Sequence, residues 1–126
     1  MNIDIHSHVI PTHFWKASDE KQSWFGAKLV QNDGNSYVDT MNRLAGPIEP
    51  SWRLSMDDRV QLMDSINVDM QVVSTPPYFF NYHLDADEGE QSARLVNEDL
   101  LRYVNYDAKR FQALANVPLQ LSLIHI

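Results

Sequence analysis

The sequence has no cysteine, few basic residues and no long hydrophobic run. Without cysteine there are no disulfide bonds or thiolate ligands, so any metal ion must be held by His, Asp or Glu. With 10 Lys and Arg against 17 Asp and Glu, the net charge of −7 argues against nucleic acid or an anionic membrane surface as a partner. No apolar run approaches a bilayer span, and the start "MNIDIHSH" lacks a signal-peptide pattern. We therefore expect a cytoplasmic protein.

The periodic segments that are present follow an order that predicts an α/β fold. The length of 126 residues, 44% of them hydrophobic, suits one globular domain. The spacing of the apolar residues predicts, in order, a strand at 2–6, a helix at 56–66, a strand at 69–75, a helix at 88–107 and a strand at 111–117. Strands that alternate with helices imply right-handed crossovers and a parallel sheet. Ligands bind such sheets at the carboxyl ends of the strands.

Between the first strand and the first helix, residues 11–50 show no sustained period. The segment is rich in Asn, Gly and Pro, so we interpret it as a long loop region, with 36–41 as a candidate strand of a small hairpin. A loop of this length is unusual in a compact domain unless it is functional. Such loops often cover active sites.

Two histidines, His6 and His8, stand at the end of the first predicted strand. Residues i and i+2 of a strand point to the same side about 6.6 Å apart, so two imidazoles there can converge on one cation. Neutral imidazole suits Zn²⁺, but a catalytic zinc site needs about three protein ligands. The pattern alone therefore leaves two alternatives open, a metal site or two hydrogen-bonded histidines. Asp4 could support a ligand or belong to a structural hydrogen-bond network.

Other candidate residues carry weaker signals. Arg43 could bind a substrate carboxylate through two parallel hydrogen bonds, although a lone loop arginine is usually solvated. An aromatic group after the second strand could wall an unsaturated substrate or simply pack over the sheet end: Tyr78, Phe79, Phe80 and Tyr82. We interpret His83 as a surface residue and leave His13 open between a supporting and a surface position. The chain contains no nucleophile elbow, P-loop or dinucleotide-binding fingerprint.

Three segments in combination resemble a known enzyme family. They are "DIHSHVIP", "RVQLMDSINVDMQVVSTPPYFFNY" and "LVNEDLLRYVNYDAKRFQALANVPLQ". In order and spacing they are similar to the N-terminal third of the aminocarboxymuconate-semialdehyde decarboxylases. The members of this family are metal-dependent, non-oxidative decarboxylases built on the amidohydrolase-type TIM barrel.

The resemblance implies a role for several residues of this chain. His6 and His8 match the two strand-1 zinc ligands of the family, and Arg43 matches the loop arginine that binds a substrate carboxylate. The catalytic base and the remaining metal ligands would lie beyond residue 126. The resemblance further implies Zn²⁺ as cofactor, a small carboxylate substrate, most simply 2-amino-3-carboxymuconate 6-semialdehyde, and a homodimeric parent protein.

A closed (β/α)₈ barrel takes about 250 residues, so this chain can supply only about three of its eight units. We expect residues 1–120 to be the N-terminal portion of such a barrel, with a long insertion after strand 1. The tail at 121–126, "LSLIHI", resembles translated adapter read-through and is a candidate non-native segment. Two alternatives to the decarboxylase remain. One is a metal-dependent hydrolase on the same barrel, and the other is a non-catalytic fragment.

Overall fold

A computed structural model describes residues 1–122 and contains two sheets. The elements follow in the order β1 (Ile3–His8), α1 (Thr12–Asp19), β2 (Lys28–Asn32), β3 (Asn35–Thr40), β4 (Arg43–Ala45), α2 (Met56–Ser65), β5 (Met70–Ser74), α3 (Ala86–Tyr106), β6 (Phe111–Ala113) and α4 (Leu119–Ser122). Short 3₁₀ helices occupy Pro50–Arg53 and Pro77–Phe79.

The first sheet is parallel and has the strand order β1-β5-β6. α2 lies in the connection from β1 to β5, and α3 connects β5 to β6. Apolar side chains of the sheet and both helices form a common core that includes Met63, Val73, Val96, Leu100 and Phe111. The predicted α/β fold with parallel strands is confirmed, and the carboxyl ends of the three strands meet at one edge.

α2 begins at the predicted residue, and α3 begins two residues before the predicted one. At the start of α2 the backbone N–H of Asp58 donates to Ser55 Oγ at 3.1 Å, which satisfies one of the free amides of the first turn. The Asp58 carboxylate accepts from the Ser55 hydroxyl at 2.7 Å, whereas in a capping box it would accept from a backbone amide. At α3 the N–H of Glu88 donates to Asp85 Oδ1 at 2.9 Å, and the acidic first turn favours the positive end of the helix dipole.

The interpretation of residues 11–50 as a long loop is wrong. This segment forms α1 and then a second, antiparallel sheet with the order β2-β3-β4. Only the candidate hairpin strand at 36–41 is confirmed, as β3. α1 buries Phe14, and Val38 of the small sheet is fully buried in the same core. The insertion after strand 1 is therefore present as predicted, but it is folded.

The third strand of the parallel sheet is shorter than predicted. β6 ends at Ala113, whereas the sequence predicts a strand to 117. The backbone of Asn116 instead binds a side chain of α3, since its N–H donates to Asn97 Oδ1 at 2.7 Å and its carbonyl accepts from Asn97 Nδ2 at 2.8 Å. These bonds take the place of sheet pairing.

The candidate non-native tail lies mostly outside the described residues, since the description ends at 122. Its separation from residues 1–120 stays a prediction. Within the described part of the chain, none of the helices combines the length and the apolar character required to cross a bilayer.

Candidate functional site

The two predicted ligand histidines lie together at the carboxyl end of β1. The pairing of β1 with β5 shifts register between Asp4 and Ser7, so the strand is irregular where His6 stands. The Nε2 atoms of His6 and His8 are 3.2 Å apart, and the rings meet edge to face with an interplanar angle of 85°. This separation is about half of the 6.6 Å expected for equivalent points on a regular strand.

The donor atoms of this pair fit a transition-metal ion. Two nitrogen ligands of a tetrahedral zinc ion, each about 2.0–2.1 Å from the metal, stand roughly 3.4 Å apart. The observed 3.2 Å between the two Nε2 atoms is close to that separation, and it is also the length of a hydrogen bond between the two rings, so this distance fits both alternatives left open by the sequence. Within residues 1–122, however, no group of three or more His, Cys, Asp or Glu side chains is arranged to hold a metal. The described chain thus offers two nitrogen ligands at one sheet edge.

The surroundings of His8 favour its neutral form. Burial lowers the pKa of His8, and the neighbouring His6 lowers it further, while contact with the backbone of Ser74 acts in the opposite direction. The Ser74 hydroxyl lies 3.2 Å from Nδ1, on the side of the ring away from His6. Neutral imidazole is the form that binds metal ions, and a hydrogen bond at Nδ1 leaves Nε2 available.

Of the polar groups beneath the histidines, the sequence indicated Asp4 but not its partner Gln71. The backbone N–H of His6 donates to Asp4 Oδ1 at 3.1 Å, and Asp4 Oδ2 accepts from Gln71 Nε2 at 3.0 Å. Asp4 therefore belongs to a hydrogen-bond network, one of the two alternatives left open for it. The buried Arg59 from α2 joins the same network through Gln71 Oε1 at 3.1 Å.

Trp52 is a second neighbour of the site that sequence analysis missed. Its ring meets the His8 ring edge to face, with 5.3 Å between the ring centroids. Trp52 lies in the 3₁₀ helix Pro50–Arg53, and its carbonyl accepts from the N–H of Ile10 at 3.4 Å, just after β1. The signal available in the sequence was only a tryptophan within a segment taken for a loop.

The structure does not bring Arg43 to the histidines. Arg43 begins β4, pairs with Thr40 across a tight turn, and is exposed. No contact between its side chain and His6 or His8 is recorded among residues 1–122. Its assignment to a substrate carboxylate thus stays a prediction.

The aromatic group after β5 divides into two pairs. Tyr78 and Phe79 are buried, and Phe79 packs against Phe14 of α1 with 4.9 Å between centroids, so this pair belongs to the core. Phe80 and Tyr82 pack on each other at 5.5 Å, and Tyr82 is exposed. For Tyr78 and Phe79 the packing alternative is therefore the correct one.

The two remaining histidines of interest lie elsewhere. His83 is exposed, as predicted. His13 lies on α1, and its Nδ1 is 3.4 Å from Asp99 Oδ2 of α3. The acidic neighbour of His13 is therefore on a helix and not at the histidine pair.

The parallel sheet and its crossover helices have the fold of the first part of a (β/α)₈ barrel, with the histidine pair at the carboxyl edge of the sheet. Solved structures show the same fold. The apo structure of Metarhizium anisopliae IDCase matches 94% of this chain and 35% of its own with a TM-score of 0.70 and 15% identity. The 5-carboxyvanillate decarboxylase LigW from Sphingomonas paucimobilis matches 90% of this chain and 33% of its own with a TM-score of 0.57 and 18% identity.

By sequence, the chain is similar to 2-amino-3-carboxymuconate-6-semialdehyde decarboxylases. It is 27% identical to the Dictyostelium discoideum enzyme over 123 residues and 29% identical to the Caenorhabditis elegans enzyme over 119 residues. These alignments cover 95% and 93% of the chain but only 33% and 29% of the relatives, so the chain spans about a third of their length. No family model matches. The resemblance expected from the three sequence segments is confirmed.

Proposed function

We propose that this chain is the N-terminal portion of a metal-dependent, non-oxidative decarboxylase, with His6 and His8 as two ligands of a Zn²⁺ ion. The observation that carries the proposal is the 3.2 Å separation of the two Nε2 atoms at the carboxyl edge of the parallel sheet. The similarity to named decarboxylases supports it further. The substrate is an unsaturated or aromatic carboxylic acid, most simply 2-amino-3-carboxymuconate 6-semialdehyde.

The roles of the chain's own residues follow from their positions. A bound zinc ion supplies Lewis acidity and lowers the pKa of a coordinated water. His6 and His8 hold the ion, and the Ser74 hydroxyl next to His8 Nδ1 orients that ring. Trp52 packs edge to face with His8 and would form one wall of the site. Arg43 would bind the substrate carboxylate, which requires the β3–β4 turn to approach the sheet edge.

Two alternatives remain distinct from this proposal. The His-x-His arrangement also suits a metal-dependent hydrolase, since it does not distinguish cleavage of C–C from C–N bonds. The chain by itself could also be a non-catalytic fragment. The further ligands and the proton donor would then come from a longer polypeptide, which we propose to be a homodimer.

Zinc binding by the purified chain tests the metal site. We expect isothermal titration calorimetry to show one zinc ion per chain with modest affinity, because only two protein ligands are present. The double variant His6→Ala, His8→Ala should lose this binding, whereas His83→Ala, which alters an exposed histidine, should retain it. Equal binding by all three proteins would contradict the assignment.

A turnover measurement tests the fragment alternative. The zinc-loaded chain is incubated with 2-amino-3-carboxymuconate 6-semialdehyde, and carbon dioxide release is measured. We expect none from this chain, and tight one-to-one zinc binding with turnover would exclude the fragment alternative. In the gene, the sequence that follows Gln120 should encode a histidine at a later strand end and a late aspartate. Absence of both would defeat the decarboxylase assignment.

A further inference from the structure

A buried arginine lies directly behind the histidine pair. Arg59 of α2 is 3% exposed, and its guanidinium donates four hydrogen bonds. Nη1 donates to Ser7 Oγ at 2.9 Å and to Gln71 Oε1 at 3.1 Å. Nη2 donates to the carbonyl oxygens of Ser51 at 2.7 Å and His8 at 3.1 Å. The acceptors therefore lie on β1, on β5 and on the 3₁₀ helix that carries Trp52.

All four acceptors are neutral, which is unusual for a buried charge. Buried arginines are normally paired with a carboxylate, because removal of the charge from water is costly. No ion pair of Arg59 is recorded within residues 1–122. Its guanidinium carbon lies 5.8 Å from the centre of the Tyr103 ring, and its link to a carboxylate is indirect, through Gln71 to Asp4. A leucine or methionine would fill the same space without this cost. The guanidinium, unlike these apolar side chains, supplies a planar set of donors that reaches all four acceptors.

The bonds of Arg59 converge on the metal-ligand tripeptide. Ser7, whose hydroxyl accepts from Nη1, is the residue between the two histidines, and the carbonyl of His8 accepts from Nη2. Gln71 links Arg59 to the His6 end of the segment. Its side-chain oxygen accepts from Arg59, and its side-chain nitrogen donates to Asp4. Asp4 in turn accepts the backbone N–H of His6. Each residue of the His-Ser-His segment is therefore fixed by at least one polar contact behind the site.

These contacts coincide with the irregular part of β1. The register of β1 against β5 shifts between Asp4 and Ser7, so regular pairing does not determine the backbone at His6. Ser7 and His8 pair with Val73 and Ser74 of β5, so it is the backbone of His6 that depends on the side chains that bind this segment. Arg59 binds the Ser7 hydroxyl and the His8 carbonyl directly. It is linked to the backbone of His6 indirectly, through Gln71 and Asp4.

We propose that Arg59 is a positioning residue that holds the His-Ser-His segment in its irregular conformation, so that the Nε2 atoms of His6 and His8 face one metal ion. This inference rests on the proposed function, since it assigns a role toward the metal held by these histidines. Arg59 touches neither metal nor substrate. It acts through Ser7, the His8 carbonyl and Gln71.

The conservative variant Arg59→Lys isolates the geometric role. Lysine keeps the positive charge but lacks the rigid fork, so it cannot bind Ser7, Gln71 and the two carbonyls at once. Loss of residues that orient metal ligands typically lowers metal affinity by about 10–100-fold, and we expect a rise in the zinc Kd of that size. Ser7→Ala removes one bond to Arg59 and should raise the Kd less. Arg94→Lys, at an exposed arginine paired with Glu90 on α3, is the matched control and should leave the Kd unchanged.

The experiment combines calorimetric zinc titration with nuclear magnetic resonance on the metal-free full chain. Cross-relaxation between the ring protons of His6 and His8 reports their proximity without metal, and thermal unfolding confirms that each variant is folded at the titration temperature. We expect strong cross-relaxation in the unaltered chain and in Arg94→Lys, and weaker signals in Arg59→Lys and Ser7→Ala. A purely structural role would lower the melting temperature yet leave the Kd and the cross-relaxation of the folded protein unchanged.

The outcomes separate this inference from the proposed function. If Arg59→Lys and Ser7→Ala stay folded with unaltered Kd and cross-relaxation, the positioning role is overturned while the metal site stands. If the unaltered chain binds no zinc, the metal assignment fails, and a role toward the metal fails with it. If Arg59→Lys does not fold, Ser7→Ala decides, because it deletes one hydroxyl and keeps the guanidinium.

Discussion

Among individual residues, Tyr78 shows how an aromatic side chain near the sheet end serves the core. Its ring is 9% exposed and packs against Phe79 with 4.9 Å between centroids. Its hydroxyl is buried and has no hydrogen-bond partner among the described residues. Burial raises the pKa of Tyr78 to about 12, so the folded protein favours the neutral phenol. The apolar ring stabilises the fold, and the unpaired hydroxyl opposes it.

We therefore expect Tyr78→Phe to be as stable as the unaltered chain at neutral pH, or more stable by about 1 kcal/mol, because an unpaired buried hydroxyl is removed. The phenol has a pKa of about 10 in the unfolded chain and about 12 in the folded protein. The stability that this difference contributes is fully present below pH 10 and is lost as the pH rises from 10 to 12. Denaturant unfolding between pH 7 and 12 should show a steeper alkaline decline for the unaltered chain than for Tyr78→Phe.

Tyr82→Phe is the control for this prediction, since Tyr82 is 43% exposed. It should follow the unaltered chain at every pH. A Tyr78→Phe variant that is less stable by more than about 1 kcal/mol would mean that the hydroxyl has a favourable partner.

Residue patterns predicted the histidine pair but not its support. His6 and His8 are two positions apart and share one side of a strand, which a local pattern can reveal. Arg59 and Ser7 are 52 positions apart, and their contact depends on how α2 packs on the sheet. The short distance between the two Nε2 atoms depends on the register shift in β1, which has no local signature here.

At the level of elements, the predictable helices carry their own start signals and α1 does not. Ser55 and Asp85 cap α2 and α3 from the adjacent sequence. α1 follows Pro11, which provides no side-chain cap. Instead the carboxylate of Asp99, from α3, accepts the N–H of Thr12 at 2.7 Å and the Thr12 hydroxyl at 2.7 Å. A cap that lies 87 residues away cannot be recognised from the local sequence.

In the small antiparallel sheet only β3 was predicted, and β2 and β4 were missed for a different reason. Asp33 and Gly34 form a two-residue turn between β2 and β3, and both have positive φ, 48° and 79°. Asp-Gly at such a turn is a strong hairpin signal, but the short strands around it are partly polar, so the turn was taken for a loop. The next turn uses Met41 and Asn42, with φ of 51° and 57°. Methionine gives no indication of that conformation.

The tertiary cap of α1 makes Asp99 important for stability. Asp99→Ala removes the buried charged acceptor of the Thr12 N–H and hydroxyl, and we expect a loss of about 2 kcal/mol in the free energy of unfolding. Asp99→Asn keeps an acceptor but loses the charge near the helix N-terminus and should cost about 1 kcal/mol. Urea unfolding measures both, and hydrogen exchange should show faster opening of α1 amides.

Glu98→Ala is the matched control, because Glu98 is the exposed neighbour of Asp99 on α3. It should change stability by less than about 0.5 kcal/mol. An Asp99→Ala variant with a similarly small effect would show that α1 does not depend on this cap.

For the molecule as a whole, the parallel sheet leaves an open edge beside apolar surface. β6 is an outer strand, and the exposed side chains near it include Leu101, Leu114 and Val117, which are 54%, 59% and 58% exposed. A groove of about 300 Å³ between α3 and β6 lies in the same region. Unpaired strand edges with apolar neighbours favour association. The net charge of −7 opposes it, because two copies of the chain repel each other.

We therefore predict that the chain associates with a second copy through the β6 edge, and that added salt strengthens the association. Salt screens the repulsion between copies and leaves apolar burial intact. Sedimentation velocity over a concentration series at about 0.05 and 0.5 M salt should show a larger associated fraction at the higher value. The double variant Leu101→Glu, Leu114→Glu should remain monomeric under both conditions. Leu44→Glu, at a 47% exposed leucine of the antiparallel sheet, should associate like the unaltered chain, and equal association by all three proteins would exclude this edge as the contact.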